Sequence, residues 1–190
     1  MPTLLTHPAV PLALGLGLGR ARIPRPLLAA GVAGALLPDL DVIAFRLGVP
    51  YAAPFGHRGF SHSLLVASLL ALAGAWALRR RVPPATSLWF LFVAAASHGL
   101  LDTLTTGGLG VALFWPWSDA RIFAPVQLIR VSPFGVKRLL SERGLAVLTS
   151  ELLWVWLPAL ALGGVLHWWT AGTRTPPPEV RVSDHRAPLA

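Results

Sequence analysis

The 190-residue sequence predicts an all-α, polytopic membrane helical bundle of four to five apolar helices with a long lid-like loop. Three observations predict it. Charged residues are only 13% of the chain, hydrophobic residues are 54%, and the mean hydropathy is +0.63; soluble domains carry about 25% charged residues. The apolar runs are broken by Pro, Gly and short arginine clusters, and none shows the alternation of a strand. Several runs approach the roughly 20 residues that carry a helix across a bilayer.

The first run, Pro8–Gly19, follows Thr6 as its expected N-cap and ends in Arg20-Ala21-Arg22-Ile23-Pro24-Arg25. The second starts at Pro26 and reaches Leu37, where Pro38 must kink or stop it; Asp41–Arg46 can resume it. The third, Ser63–Leu78, has Ser61 or Ser63 as its cap and closes at Arg79-Arg80-Arg81 and Pro83-Pro84. The fourth spans Ser87–Thr105 and the fifth Glu151–Trp169. Small residues in Ala29–Ala35 and Ala94–Ser97 suit close helix packing. Trp154, Trp156, Trp168 and Trp169 suit the ends of a span, where the rings sit at the lipid–water boundary. Gly107–Thr149 is the expected lid. Residues 1–172 then form one membrane-embedded domain, and the Pro-rich polar stretch 173–190 reads as a disordered tail. The N-terminus lacks the basic start and small-residue cleavage site of a signal peptide, so His7 is expected to stay in the mature chain.

The net charge of +8 sits in arginine clusters between apolar runs. That placement favours anionic lipid headgroups, worth about 1 kcal/mol per basic residue, over nucleic acid. Membrane lipid and a small-molecule or lipid-like anionic substrate are the expected partners. There is no cysteine, so thiolate metal sites and disulfides are excluded. A metal would be held by imidazole and carboxylate, which suits zinc first, with manganese or iron as alternatives.

Ionisable groups at the centre of apolar helices cost about 2.5–3.5 kcal/mol each on insertion scales, which points to a use for them. Simple up-and-down threading brings His7, Asp39, Asp41, His57, His62, His98 and Asp102 to one membrane face. Glu151 starts its segment on the same face and is an eighth candidate ligand; an acid in a first helical turn also favours the helix dipole. The short arginine loops fall on the other face, which the positive-inside rule makes cytoplasmic.

His98-Gly99-Leu100-Leu101-Asp102 sets imidazole and carboxylate at i and i+4 on one helix face, as a shared metal needs. Pro38-Asp39-Leu40-Asp41 puts two acids at a proline break; in an extended turn they point apart, so one can ligate while the other orients a histidine. In His57-Arg58-Gly59-Phe60-Ser61-His62-Ser63, two histidines precede an apolar helix, and Arg58 can grip a phosphate or carboxylate bidentately. No G-x-S-x-G, Walker A, H-E-x-x-H or dinucleotide fingerprint is present. His167 and His185 read as interfacial or solvated.

In this order, His7, the P-D-x-D turn, the H-R-G-x-S/T-H-S string and the H-x-x-x-D helix resemble the YdjM-like family of membrane-bound, metal-dependent hydrolases. Phe114-Trp115-Pro116-Trp117 is also similar, and the resemblance covers about Thr6–Trp117. A fainter likeness links the same residues to the zinc-dependent phospholipase C and P1 nuclease group, although no later H-x-x-x-E helix is present. The resemblance implies an integral hydrolase of a bacterial or archaeal cytoplasmic membrane with one or two divalent metals. Metal-activated water would attack an ester-type substrate, such as a phosphoester or a lipid-like ester, at the interface. Asp39 or Asp41 would be general base or bridging ligand, and Arg58 would bind the substrate's anionic part. The alternative is a non-catalytic metal-binding membrane protein or transport component.

Overall fold

The computed structural model describes residues 1–132 and 140–172. The tail expected at 173–190, and part of the expected lid at 133–139, lie outside the described residues. Among the described residues seven α-helical stretches follow in order: α1 Ala9–Leu18, α2 Arg25–Leu36, α3 Ile43–Arg46, α4 Leu64–Leu78, α5 Pro84–Thr103, α6 Glu142–Glu151 and α7 Leu157–Gly172. A 3₁₀ turn, Leu37–Val42, joins α2 to α3, and a second, Phe60–His62, precedes α4. A π turn, Leu152–Trp156, fuses α6 and α7 into one rod. The described residues hold no sheet, only isolated bridges pairing Thr105 with Ile129 and Val111 with Ile122. The fold is an all-α bundle.

Among the described residues three rods are long and apolar enough to cross a bilayer: Arg25–Arg46, Pro84–Thr103 and Glu142–Gly172. Ala9–Leu18 and Leu64–Leu78 are apolar but shorter. The second segment resumes past Pro38 and runs to Arg46, as the sequence allowed. Pro38 does not stop it, because the chain tightens into a 3₁₀ turn and goes on. Asp39 and Asp41 lie on that turn, not on the extended one expected.

The last rod begins at Glu142, well inside the expected lid, with Ser141 as N-cap accepting from the Gly144 N–H at 3.4 Å. Glu151 is consequently a mid-rod residue, not one of a first helical turn. Ser150 does not cap: its Oγ donates to the Val147 carbonyl at 2.7 Å and accepts from the Arg130 N–H at 3.0 Å. Ser63, the second of the two candidates, caps α4 by accepting from Val66 N–H at 3.2 Å. Thr6 does not cap α1, whose N-cap is Pro8.

α5 packs against α2 and α4, and α1 lies along α7. Lipid gives apolar helices no hydrophobic drive to associate, so close backbone approach has to hold them together. Glycine provides it: a Cβ at Gly17 would stand 2.7 Å from the Gly163 carbonyl oxygen, and one at Gly31 would stand 2.5 Å from the Phe90 ring. Ile23, Leu27, Ala71, Val82, Phe90 and Leu91 form one buried cluster, and Ala9, Ala13, Ile129, Val155 and Ala159 another. Leu69, Leu72 and Trp76 on α4, and Trp168 and Trp169 on α7, face outward.

Candidate metal centre

Five elements deliver polar side chains to one buried point. His7 ends a turn closed by Thr6 N–H on the Thr3 carbonyl at 2.9 Å. Asp39 and Asp41 ride the 3₁₀ turn, His57 and Arg58 a loop, His62 the turn before α4, and His98 and Asp102 adjacent turns of α5. Gly99 permits the meeting, since a Cβ there would stand 2.6 Å from the His62 carbonyl oxygen.

The distances are those of a coordination shell. His62 Nε2 and His98 Nε2 are 3.0 Å apart. His98 Nε2 is 3.5 Å from Asp39 Oδ1, and His62 Nε2 is 3.4 Å from Asp102 Oδ2 and 3.8 Å from Asp39 Oδ1. His7 Nε2 lies 3.6 Å from Asp39 Oδ2 and 3.9 Å from Asp102 Oδ1. Donors about 2.1 Å from a shared ion stand about 3.0 to 3.4 Å apart in octahedral to tetrahedral geometry. The cluster needs only a small contraction to hold one.

Hydrogen bonding makes the stronger case. Both oxygens of Asp39, both of Asp102, both ring nitrogens of His7 and Nε2 of His57 are buried without a hydrogen-bond partner. Buried polar atoms are ordinarily paired, and leaving one bare costs about 1–3 kcal/mol, more when charged. Seven such atoms around one point fit a cation, and the imidazole and carboxylate donors fit a divalent one.

Neighbouring groups aim the histidines. His98 Nδ1 donates to the Ala35 carbonyl at 2.7 Å; Pro38, three residues on, has no N–H to offer that oxygen. Asp41 accepts from His57 Nδ1 at 2.6 Å, from Ser61 Oγ at 2.6 Å and from the Arg58 N–H at 3.1 Å, and lies 3.2 Å from His62 Nδ1. Asp41 therefore fixes which nitrogen of His57 and His62 faces inward. Burial, aided by the His98 ring stacked at 3.7 Å, lowers the His7 pKa to about 3 and keeps that imidazole neutral. Burial also pulls His62 down, but Asp102, Asp39 and Asp41 overcome it and raise its pKa to about 10. The carboxylates thus draw positive charge to the centre.

The sequence-derived candidates divide into three groups. His7, Asp39, His57, His62, His98 and Asp102 supply the groups of donors able to hold a metal, and Asp41 stands behind two of them. Glu151 is elsewhere, and its expected place among the ligands is corrected: Oε1 accepts from the Thr3 N–H, and Oε2 from Thr3 Oγ1 at 2.6 Å and Thr6 Oγ1 at 2.7 Å. The structure also gives Arg58 other partners than a substrate. Its side chain is fully buried, with Nε 3.0 Å from Asp102 Oδ2, Nη1 donating to the Gly107 carbonyl at 2.9 Å and Nη2 donating to Thr105 Oγ1 at 3.0 Å. Arg121 went unnoticed in the sequence. Its guanidinium donates to the carbonyls of His57, Tyr51 and Ala53 and ties the His57 loop to the region after α5. A lone arginine in Ala120-Arg121-Ile122-Phe123 was the available signal. His167 is exposed on α7, away from the cluster.

Fold and site together define a membrane-embedded helical bundle with a buried His/Asp cluster able to hold a divalent metal. The chain belongs to the YdjM inner membrane protein family, whose model matches residues 1–173. It is 52% identical over 171 residues to the inner membrane protein YbcI of Escherichia coli (strain K12), covering 89% of this chain and 98% of that one. The inner membrane protein YdjM of the same organism is 37% identical over 102 residues, 47% of this chain and 49% of the relative. YvsG of Bacillus subtilis (strain 168) is 29% identical over 112 residues, 55% of this chain and 66% of the relative. No solved structure matches the chain. It is an inner-membrane protein with several apolar helices.

Proposed function

We propose that the protein is a divalent-metal-dependent hydrolase, zinc being the first choice of metal, that cleaves an ester-type substrate at the membrane interface. The substrate class that suits the position is a phosphoester or another lipid-like anion. The single observation carrying this reading is the convergence of bare, buried imidazole and carboxylate donors from four separate elements. His7, Asp39, His57, His62, His98 and Asp102 would supply the ligands of the metal. When bound, a divalent ion supplies Lewis acidity, polarising the scissile group and acidifying water.

The protein's own groups prepare that site. Asp41 holds the proton on His57 Nδ1, which presents Nε2 inward as a lone pair. Arg58 neutralises Asp102 and ties it to Thr105 and Gly107, so it acts as a positioning residue and not as the anion grip. The short arginine loops lie at the other end of the helices, which supports an orientation with the site toward the outer leaflet.

The test is metal analysis of detergent-purified protein, followed by a panel of phosphoesters, carboxylic esters and amides with and without chelator. Chelator-sensitive turnover supports the proposal. Protein that stays metal-free after reconstitution with zinc or manganese overturns it. The near-complete burial of the cluster favours a second reading, a closed metal site without catalysis; bound metal with every substrate untouched would decide for that one.

A further inference from the structure

We infer that the cluster holds two divalent cations side by side, with Asp39 shared between them, His7 and His98 on one side and His57 and His62 on the other. This rests on the metal-dependent reading above and fixes how the donors divide.

The donors do not form a single nest. His7, Asp39 and His98 offer ligand atoms within 4.8 Å of one another, and so do Asp39, His57 and His62. Among the described residues no such group contains both His7 and His57. Ligands of one ion lie at most about 4.2 Å apart, trans across two bonds of about 2.1 Å. The two groups therefore fit two ions better than one, and Asp39 is their only common member. Both of its oxygens are free of hydrogen bonds, as a carboxylate spanning two metals requires. Paired catalytic metals typically stand about 3.5–4 Å apart, a separation that one carboxylate bridges.

His57 supplies the second, independent observation. It is 1% exposed, its Nδ1 is fixed by Asp41 at 2.6 Å, and its Nε2 has no partner. A carboxylate behind one nitrogen and nothing before the other is how a protein prepares a metal-binding imidazole. One ion on the His7 side would leave this nitrogen stranded. Asp102, grouped with His62 and His98, flanks the pair from α5.

Charge gives the arrangement a purpose. Asp39, Asp41 and Asp102 against Arg58 leave two negative charges in the cluster. One divalent ion cancels them. A second leaves a net positive centre, which attracts an anionic phosphoester even though the Arg58 guanidinium is already committed.

The experiment uses the full chain in detergent, stripped with chelator and reloaded with manganese(II) alone. Metal per chain is measured by mass spectrometry, and spin coupling by electron paramagnetic resonance. Two ions per wild-type chain with an exchange-coupled signal are expected. His57→Ala and His7→Ala should each retain one ion and lose the coupling. One uncoupled ion in wild type overturns the pair while leaving the hydrolase proposal standing; none overturns both. Two ions that persist uncoupled, or that survive His57→Ala, mean that the second lies elsewhere and also overturn it. Should His57→Ala fail to fold, the wild-type stoichiometry and coupling decide alone.

Discussion

Two carboxylate nests are buried in this bundle, and they are finished to different degrees. Glu151 receives hydrogen bonds from Thr3 and Thr6 on both oxygens. Asp39 receives none, and Asp102 meets only the Arg58 guanidinium, its Oδ2 3.0 Å from Nε, although both are similarly buried. One nest is complete with protein atoms alone, and the other leaves carboxylate oxygens free for a cation. Burial of an acid in an apolar bundle therefore does not identify a metal ligand. The state of its lone pairs does.

The comparison is broken most easily at Asp102. Asp102→Ala removes a ligand and also leaves the fully buried Arg58 guanidinium without its counter-charge. Losing one partner of a buried ion pair costs about 3–5 kcal/mol. Metal content should fall to background and the denaturant midpoint in detergent should drop markedly. His98→Ala should lose the ion on the His7 side and keep the other, with a smaller loss of stability, because no buried cation is stranded. Full metal occupancy in either variant would put the ion somewhere else.

Glu151 gives the converse test. Glu151→Gln keeps the shape but removes the charge that draws Thr3 and Thr6 together, and hydrogen bonds to a charged group are each worth about 1.5–3 kcal/mol. A stability loss of about 2 kcal/mol is expected, with metal still bound but weaker by about tenfold, because His7 follows directly after the clamped turn. In a His7→Ala background the substitution should cost no further metal affinity. Complete loss of metal from folded Glu151→Gln protein would return Glu151 to the ligand set that its sequence position suggests. Asp41→Asn should weaken metal binding about 10–100-fold by loosening His57 and His62; a chelator competition titration measures it.

The sequence revealed the bundle and the convergence on one face, because both follow from hydropathy and helix direction. It did not reveal how acids of one kind divide. Asp39 and Asp41 are two residues apart, and which one ligates depends on the 3₁₀ turn after Pro38, a local winding that the P-D-x-D string leaves open. Glu151 looked like a helix start because Thr149, Ser150 and Glu151 interrupt the apolar run, so the rod's true beginning at Ser141-Glu142 was hidden in the expected lid. Arg58 read as an anion grip because its partners Thr105 and Gly107 lie 47 and 49 residues away. Long-range partners set these roles, and periodicity carries no record of them.

The smallest expected effect is a proton. In the metal-free protein the carboxylates around His62 overcome its burial and raise its pKa from 6.5 to about 10. Its contribution to the stability of that state is fully present below about 6.5 and is lost as pH rises through about 10. A cation that takes Nε2 must displace this proton, so uptake at pH 8 should release about one proton per chain from His62. Apparent affinity should fall about tenfold per pH unit as the solution is acidified through that range. His7, held neutral by burial, should release none. Isothermal titration of zinc in buffers with different ionisation heats reads the proton count directly. Glu151→Gln should leave the count unchanged, since that nest is separate from the proton-binding one. Uptake without proton release would mean that the ion does not reach His62, and the unpaired acids would then need another explanation.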